Sequence, residues 1–253
     1  MMISKKVLAS VRNGVCAIGY LTVPLTEYRK NPRAPYHQVV GTGFLVRPTT
    51  AITNRHVIEG LVDSRASLGF PTSQFFLSFV VPDRDLQLRN TIRMIRYFTA
   101  LSSPSKDIGF VEFKIVHEAH FEDIRPLRIA KSLRLRVSQE VAVCGYPYGT
   151  SMLTRGSRIY RWGPVVQSGS ISAISPFDTS TTPDEVLLDV RTAGGMSGAP
   201  IFCPHTGEVI AIHYAGWEAT TALGIPLTRA QVSKWLTAYD QLLASSEPLQ
   251  GMG

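Results

Sequence analysis

Thr192-Ala193-Gly194-Gly195-Met196-Ser197-Gly198-Ala199-Pro200 sets one serine among three glycines. A serine hydroxyl is a poor nucleophile unless a base takes its proton and amides stabilise the oxyanion that follows. Glycines beside Ser197 let the backbone turn sharply and let two N–H groups point at one spot. The expected donors are the amides of Gly195 and Ser197. Taken alone, the segment reads equally well as an ordinary Gly-rich turn between strands. What decides its meaning, and with it the fold, is the company it keeps along the chain.

Upstream, Gly41-Thr42-Gly43-Phe44-Leu45-Val46 is followed by Ala51-Ile52-Thr53-Asn54-Arg55-His56-Val57-Ile58. An apolar strand here delivers His56 to its end, just before a short helical turn. Histidine is the side chain whose ordinary pKa suits proton exchange near neutrality. His37, His117, His120 and His205 have no comparable setting. Between these two stretches lies Lys106-Asp107-Ile108-Gly109-Phe110-Val111-Glu112-Phe113. An acid directly ahead of a buried strand can enter a cleft and accept the second ring N–H of a histidine, fixing its tautomer. Asp83, Asp85 and Asp123 are rival carboxylates in polar, loop-like contexts.

Around these stretches, short apolar runs recur between turn residues. They are Val15–Val23, Val39–Val46, Phe75–Val81, Ile92–Phe98, Ile108–Ile115, Glu140–Gly145, Val165–Ile174, Val186–Val190 and Val209–Tyr214. Each is short, rich in β-branched and aromatic residues and bounded by Gly, Pro, Asn, Asp or Ser, which predicts an all-β architecture. The pattern loosens around His117–Ser132, a connector between two halves. From Arg229 onward, Val232, Trp235, Leu236, Tyr239, Leu242 and Leu243 fall on one helix face. Thr228 and Gln231 have the spacing of a capping box just ahead of it. The tail Ala244–Gly253 is expected to fray.

Composition bounds the function classes. The 253 residues are 44% hydrophobic and 18% charged, which is globular composition, with net charge +7. No stretch approaches the roughly 18 apolar residues of a membrane span. Arg12 and Asn13 interrupt the apolar run that a secretory signal would need after Lys5 and Lys6. Cys16, Cys144 and Cys203 are too few and too scattered for a disulfide framework or a zinc site. Free thiols and a cytoplasmic location are therefore expected.

The order His56, Asp107, Ser197 resembles that of the chymotrypsin-like (trypsin-fold) serine proteases. Thr53-Asn54-Arg55-His56-Val57 is similar to the histidine motif of bacterial HtrA-type members, Asp107-Ile108-Gly109 to their aspartate motif, and Gly195-Met196-Ser197-Gly198-Ala199-Pro200 to their nucleophile motif. Gly145-Tyr146-Pro147-Tyr148-Gly149 resembles a loop near the start of their second barrel, and Ala222-Leu223-Gly224-Ile225-Pro226 the strand before their C-terminal helix. The resemblance implies two packed antiparallel six-stranded β-barrels with a C-terminal α-helix. The N-terminal barrel would span about 10–117, the connector about 118–135, the C-terminal barrel about 136–227 and the helix about 229–243. It also implies a bacterial endopeptidase without metal or organic cofactor. Ser197 would attack, His56 carry the proton, Asp107 orient His56, and Gly195 and Ser197 hold the oxyanion.

Departures from the family pattern are informative. Met196 stands where trypsin-type zymogens carry an aspartate that pairs with a new amino terminus, and no activation motif precedes it. The oxyanion hole is then expected to be preformed, or ordered by substrate or a regulatory protein partner. Too few residues follow the expected helix for the PDZ module of HtrA-type proteases, so none is expected here. In glutamyl endopeptidases, a histidine in the pocket-wall strand and a threonine five positions before the nucleophile receive the substrate carboxylate. His213 and Thr192 fill those places, with Tyr214 and Ala215 on the strand that would pair with the peptide. Arg191 could reinforce the pocket, although strand alternation turns it the opposite way from Thr192. The other reading of His213 is a residue that merely fills the wall.

Basic stretches at Arg84–Arg96, Arg125–Arg136 and Arg155–Arg161 could attract phosphates or acidic proteins. No zinc-finger spacing, RNP-like motif or phosphate loop accompanies them, so nucleic acid is not the expected partner; a protein or peptide substrate is. A retired protease scaffold that binds a peptide or partner without cutting is the alternative from another functional class.

Overall fold

The apolar runs are continuous rather than strictly alternating because both faces of the central strands are buried. The computed structural model describes residues 2–31, 36–68, 74–82, 88–100, 107–113, 124–149, 163–217 and 220–245. Strands β1 (Val15–Leu21), β2 (His37–Arg47), β3 (Thr50–Thr53), β4 (Phe75–Pro82), β5 (Leu88–Ala100) and β6 (Gly109–Phe113) close one antiparallel barrel in the order β1-β2-β3-β6-β5-β4. Strands β7 (Glu140–Gly145), β8 (Val165–Ser175), β9 (Glu185–Asp189), β10 (Pro200–Phe202), β11 (Val209–Trp217) and β12 (Thr221–Pro226) close a second in the order β10-β11-β12-β9-β8-β7.

Neighbouring residues on one strand point to opposite sides. Ile18, Leu45, Ala51 and Val111 fill the first barrel. Their chain neighbours Ala17, Phe44, Ile52 and Phe110 turn outward into a shared layer. From the second barrel, Ala142, Cys144, Phe202 and Ile212 meet them there, while Val141, Val143, Ile201 and Ala211 fill its interior. One face is packed within a barrel and the other between barrels, so no polar alternation develops along these strands. The connector is stitched to both sides, with Leu127 N–H donating to Leu45 O (2.8 Å) and Ala130 N–H to Val209 O (2.9 Å).

The terminal helices cross over. Helix α1 (Lys5–Arg12) is capped by Ser4, and it lays Val7 and Val11 beside Gly207 of the second barrel. The sequence pattern predicts no helix over Lys5–Asn13, and the Val7–Val11 spacing, which puts both on one helix face, is the signal for it. Helix α2 (Leu25–Lys30) has no buried residue, hence no periodicity to read. The short turn expected after His56 is helix α3 (Arg55–Leu68), long because Val57, Ile58 and Leu61 pack on the first barrel.

Helix α4 (Arg229–Ser245) starts from the expected capping box. Thr228 N–H donates to Gln231 Oε1 (2.8 Å), and Gln231 N–H to Thr228 Oγ1 (3.2 Å). Of its expected apolar face, Val232, Leu236 and Tyr239 are buried, whereas Leu242 is exposed. Tyr239 packs on Tyr97 and Phe110 and donates to Glu112 Oε2 (3.0 Å), clasping the first barrel. Arg47 adds a two-pronged pair to Asp240 at 2.7 and 3.0 Å. Tyr239→Ala is expected to cost about 3–5 kcal/mol in urea unfolding, the range for truncating a large buried aromatic. Arg47→Ala should cost at most about 1 kcal/mol, because the Arg47 and Asp240 side chains are 38% and 50% exposed.

In the Arg125–Arg136 stretch, Arg125, Arg128, Lys131, Arg134 and Arg136 lie exposed while Leu127 and Ile129 turn inward. Arg93 departs from the basic-face reading: it is buried. Arg155–Arg161 lies outside the described residues, as do His117, His120, Asp83, Asp85 and Asp123. Among the described residues no helix is long and apolar enough to cross a membrane.

Candidate active site

Strand β3 ends at Thr53, and His56 sits in the first turn of α3. Asn54 anchors that corner, its Nδ2 donating to the Asp107 carbonyl (2.9 Å). Asp107 stands just before β6, which pairs with β3 through Thr53 and Gly109. Sheet pairing therefore brings together two residues 51 positions apart. His56 Nδ1 lies 2.7 Å from Asp107 Oδ2, and His56 N–H donates to Oδ1 at 3.0 Å. Partial burial opposes ionisation of Asp107. The His56 ring and amide, the His56 charge and the Arg55 amide together outweigh it and hold the carboxyl below the usual aspartate value. An ionised carboxylate only accepts, so Nδ1 is a protonated nitrogen, and the tautomer this fixes has its lone pair on Nε2.

Ser197 comes from the second barrel, in the turn that leads into β10. Its carbonyl accepts from Thr42 N–H (2.8 Å), and a Cβ built on Gly41 would touch both that carbonyl oxygen and Val57. The serine backbone thus abuts the corner that carries His56. Among the described residues no hydrogen bond joins Ser197 Oγ to His56; in unliganded sites such bonds are often long and tighten in the substrate complex.

The Gly194–Ser197 backbone is held by its carbonyls. Gly194 O accepts from Tyr148 N–H (2.6 Å), Gly195 O from Thr42 Oγ1 (2.7 Å), Met196 O from Ala199 N–H (2.9 Å) and Ser197 O from Thr42 N–H. A trans peptide points its N–H away from its own carbonyl. The Gly195 and Ser197 amides therefore face the other way, and among the described residues neither donates to a protein acceptor. The path requires glycine twice, at Gly195 (φ +94°) and Gly198 (φ +87°), where a side chain would also strike Tyr146 O and Thr42 O respectively. Met196 is fully buried in the second barrel's core.

His213 is buried on β11, its Nδ1 donating to Leu223 O (3.0 Å). Burial pulls its pKa down to about 4, the Leu223 carbonyl opposing and the His56 charge assisting. Thr192 is buried, and its Oγ1 reaches Thr221 O only at 3.5 Å. That hydroxyl lies against Gly216, where a Cβ would come within 3.2 Å of it. Arg191 is exposed where Thr192 is buried, although both lie beyond the end of β9. Tyr214 is the bulged residue between His213 and Ala215, and its hydroxyl donates to Glu185. The register of β10 with β11 ends at Ile212, so among the described residues one edge of β11 beyond it has no strand partner. Beside the residues read from sequence, the structure adds Thr42, Tyr146, Tyr148 and Leu223 as groups that hold the site.

The trypsin-like peptidase domain matches residues 41–212, more than half of the chain and the whole stretch from Gly41 through Ser197 to Ile212. The chain belongs to this family. It is similar to glutamyl endopeptidases, at 23% identity for that of Staphylococcus epidermidis, over 70% of this chain and 54% of the relative. The one from Staphylococcus aureus strain MW2 is 26% identical over 72% of this chain and 49% of its own length. The chain thus spans about half the length of these curated relatives. Among solved structures, an inactive form of Rv3671c from M. tuberculosis H37Rv superposes with TM-score 0.56 at 16% identity, covering 99% of this chain and 95% of the other. The HtrA-type protease AlgW bound to a decapeptide gives TM-score 0.58 at 16% identity, over 93% and 66%. These likenesses carry the fold. Among the described residues no three His, Cys, Asp or Glu side chains gather as a metal site. Cys16, Cys144 and Cys203 are free thiols.

Proposed function

We propose that this trypsin-like domain is a serine endopeptidase with Ser197 as nucleophile, His56 as general base and Asp107 as its orienting acid. The observation that carries the reading is the pair of Gly195 and Ser197 amides, both without an acceptor among the described residues, on a loop that abuts the His56–Asp107 corner. In the first step Ser197 Oγ attacks the peptide carbonyl while His56 Nε2 takes the hydroxyl proton. The carbonyl oxygen becomes an oxyanion within reach of the two amides. Collapse breaks the C–N bond, His56 returns the proton to the leaving amine, and an acyl-enzyme remains. Water then repeats the sequence and releases the acid. The unpaired edge of β11 at Tyr214 and Ala215 suits an extended peptide added as a strand. A cytoplasmic bacterial setting and a regulatory protein partner belong to the same proposal, which the free thiols suit.

Glutamate or aspartate before the scissile bond is the proposed preference, through Thr192 and His213. The protonation state of His213 makes this conditional. With Nδ1–H committed to Leu223 O and a pKa near 4, neutral His213 offers an unprotonated Nε2, which cannot donate to a carboxylate. An acidic side chain must therefore bind together with one proton. Digestion of a proteome-derived peptide library, read by mass spectrometry, should show cuts after Glu and Asp. The preference for Glu over Leu in kcat/KM should fall with rising pH, by up to about tenfold per unit when one proton is taken up. His213→Ala should remove both the preference and its pH dependence. Cuts clustering after Lys, Arg or Leu would sink the acidic pocket and leave the peptidase standing.

The missing Ser197–His56 hydrogen bond is the one observation that favours a peptide-binding scaffold without hydrolysis. A fluorophosphonate separates the two, since only a competent serine is labelled.

A further inference from the structure

We propose that Thr42 is a positioning residue whose hydroxyl, reaching from the first barrel, sets the backbone of the oxyanion loop in the second; this rests on the hydrolytic reading above. Thr42 is fully buried on β2. Its Oγ1 donates to Gly195 O (2.7 Å) and accepts from Tyr146 N–H (3.1 Å). A carbonyl can only accept and an amide can only donate, so the hydroxyl proton has one place to be. Its own backbone is fixed in turn, because Thr53 Oγ1 on β3 donates to Thr42 O (2.7 Å).

The loop needs an outside hold. Gly194 and Gly195 leave its peptide planes free to rotate, and Gly195 already sits at a φ where glycine moves at little cost. Thr42 grips it twice, through the hydroxyl at Gly195 O and the amide at Ser197 O. The two peptides so fixed flank the one that carries the Ser197 N–H. The same hydroxyl draws in the Tyr146–Gly149 turn, where Tyr148 takes a left-handed φ of +60° and offers its N–H to Gly194 O. That last bond orients the peptide that carries the Gly195 N–H. One side chain thus ties both oxyanion donors to β2, the strand paired with the one that leads to His56.

Valine has threonine's shape without either hydrogen-bonding role, and it leaves the Thr42 amide bond to Ser197 O in place. Thr42→Val should lower kcat for a cleaved peptide by roughly tenfold to a hundredfold, less than or equal to losing one oxyanion donor outright. KM should stay within about twofold, since the hold matters only as charge develops on the carbonyl oxygen. Thr42→Ser, which keeps the hydroxyl, should recover most of kcat. In parallel, amide hydrogen exchange should speed up at Tyr146 in the valine variant and stay slow in the serine variant. If valine does not yield folded protein, Thr42→Ala is read in the same two assays. Unchanged exchange at Tyr146, unchanged kcat, or a serine variant as impaired as valine would each overturn the proposal. A wild-type chain that cleaves nothing would overturn the hydrolytic reading and the catalytic half of this one together, and the exchange pattern then tells the two failures apart.

Discussion

Ser197→Ala should lower kcat by roughly a million-fold, the scale seen when the nucleophile of a serine peptidase is removed. The expectation follows from what the change deletes. The Ser197 backbone is held by Thr42 N–H, and the neighbouring residues by Tyr148, Ala199 and His213. None of those bonds uses the side-chain oxygen. The amides of Gly195 and Ser197 also stay where they are, so binding and oxyanion stabilisation survive without an acyl-enzyme. Stability should change by no more than about 0.5 kcal/mol, because no hydrogen bond or packed surface is lost. Fluorophosphonate labelling should vanish and urea unfolding should be superimposable. Cleavage at the wild-type rate by the alanine protein would show that the nucleophile lies elsewhere.

The triad candidates were legible because each sits in a stretch with a physical signature. Ser197 is ringed by glycines that the observed φ angles at Gly195 and Gly198 require. Asp107 and His56 flank apolar strands, and β3–β6 pairing does the rest. The β-rich fold was legible for a similar reason, since strands buried on both faces leave long apolar runs. Strand β10 was not, because three residues, Pro200–Phe202, carry too little pattern to separate from the turn before them.

Thr42 was missed for a different reason. Its partners are a carbonyl 153 residues away and an amide 104 residues away, and main-chain atoms leave no trace in side-chain pattern. The glycines on both sides of it were the one available sign that another backbone comes close. For His213 the sequence supplied the residue but not its charge. That depends on the Leu223 carbonyl and on the depth of the pocket, and both arise only when β11 and β12 pair.

Asp107→Asn should lower kcat by roughly ten-thousandfold while leaving His56 in place. The wild-type carboxylate accepts three N–H groups, from the His56 ring, the His56 amide and the Arg55 amide. Asparagine has one acceptor oxygen, which the two backbone amides claim, so its NH2 faces His56 Nδ1. The ring then keeps its proton on Nε2 and cannot take the one from Ser197. Stability should respond to pH in a defined direction. The native carboxyl lies below its ordinary value, so ionised Asp107 stabilises the fold above the unfolded pKa of about 3.9. That contribution disappears as pH falls through the depressed native value. The gap in urea stability between wild type and Asp107→Asn should therefore be widest near neutrality and should shrink through the acid range below pH of about 4. A gap that stays constant across that range would mean the carboxylate is not held by its three donors. An asparagine variant within about tenfold of wild-type kcat would mean that His56 does not rely on Asp107 for its tautomer.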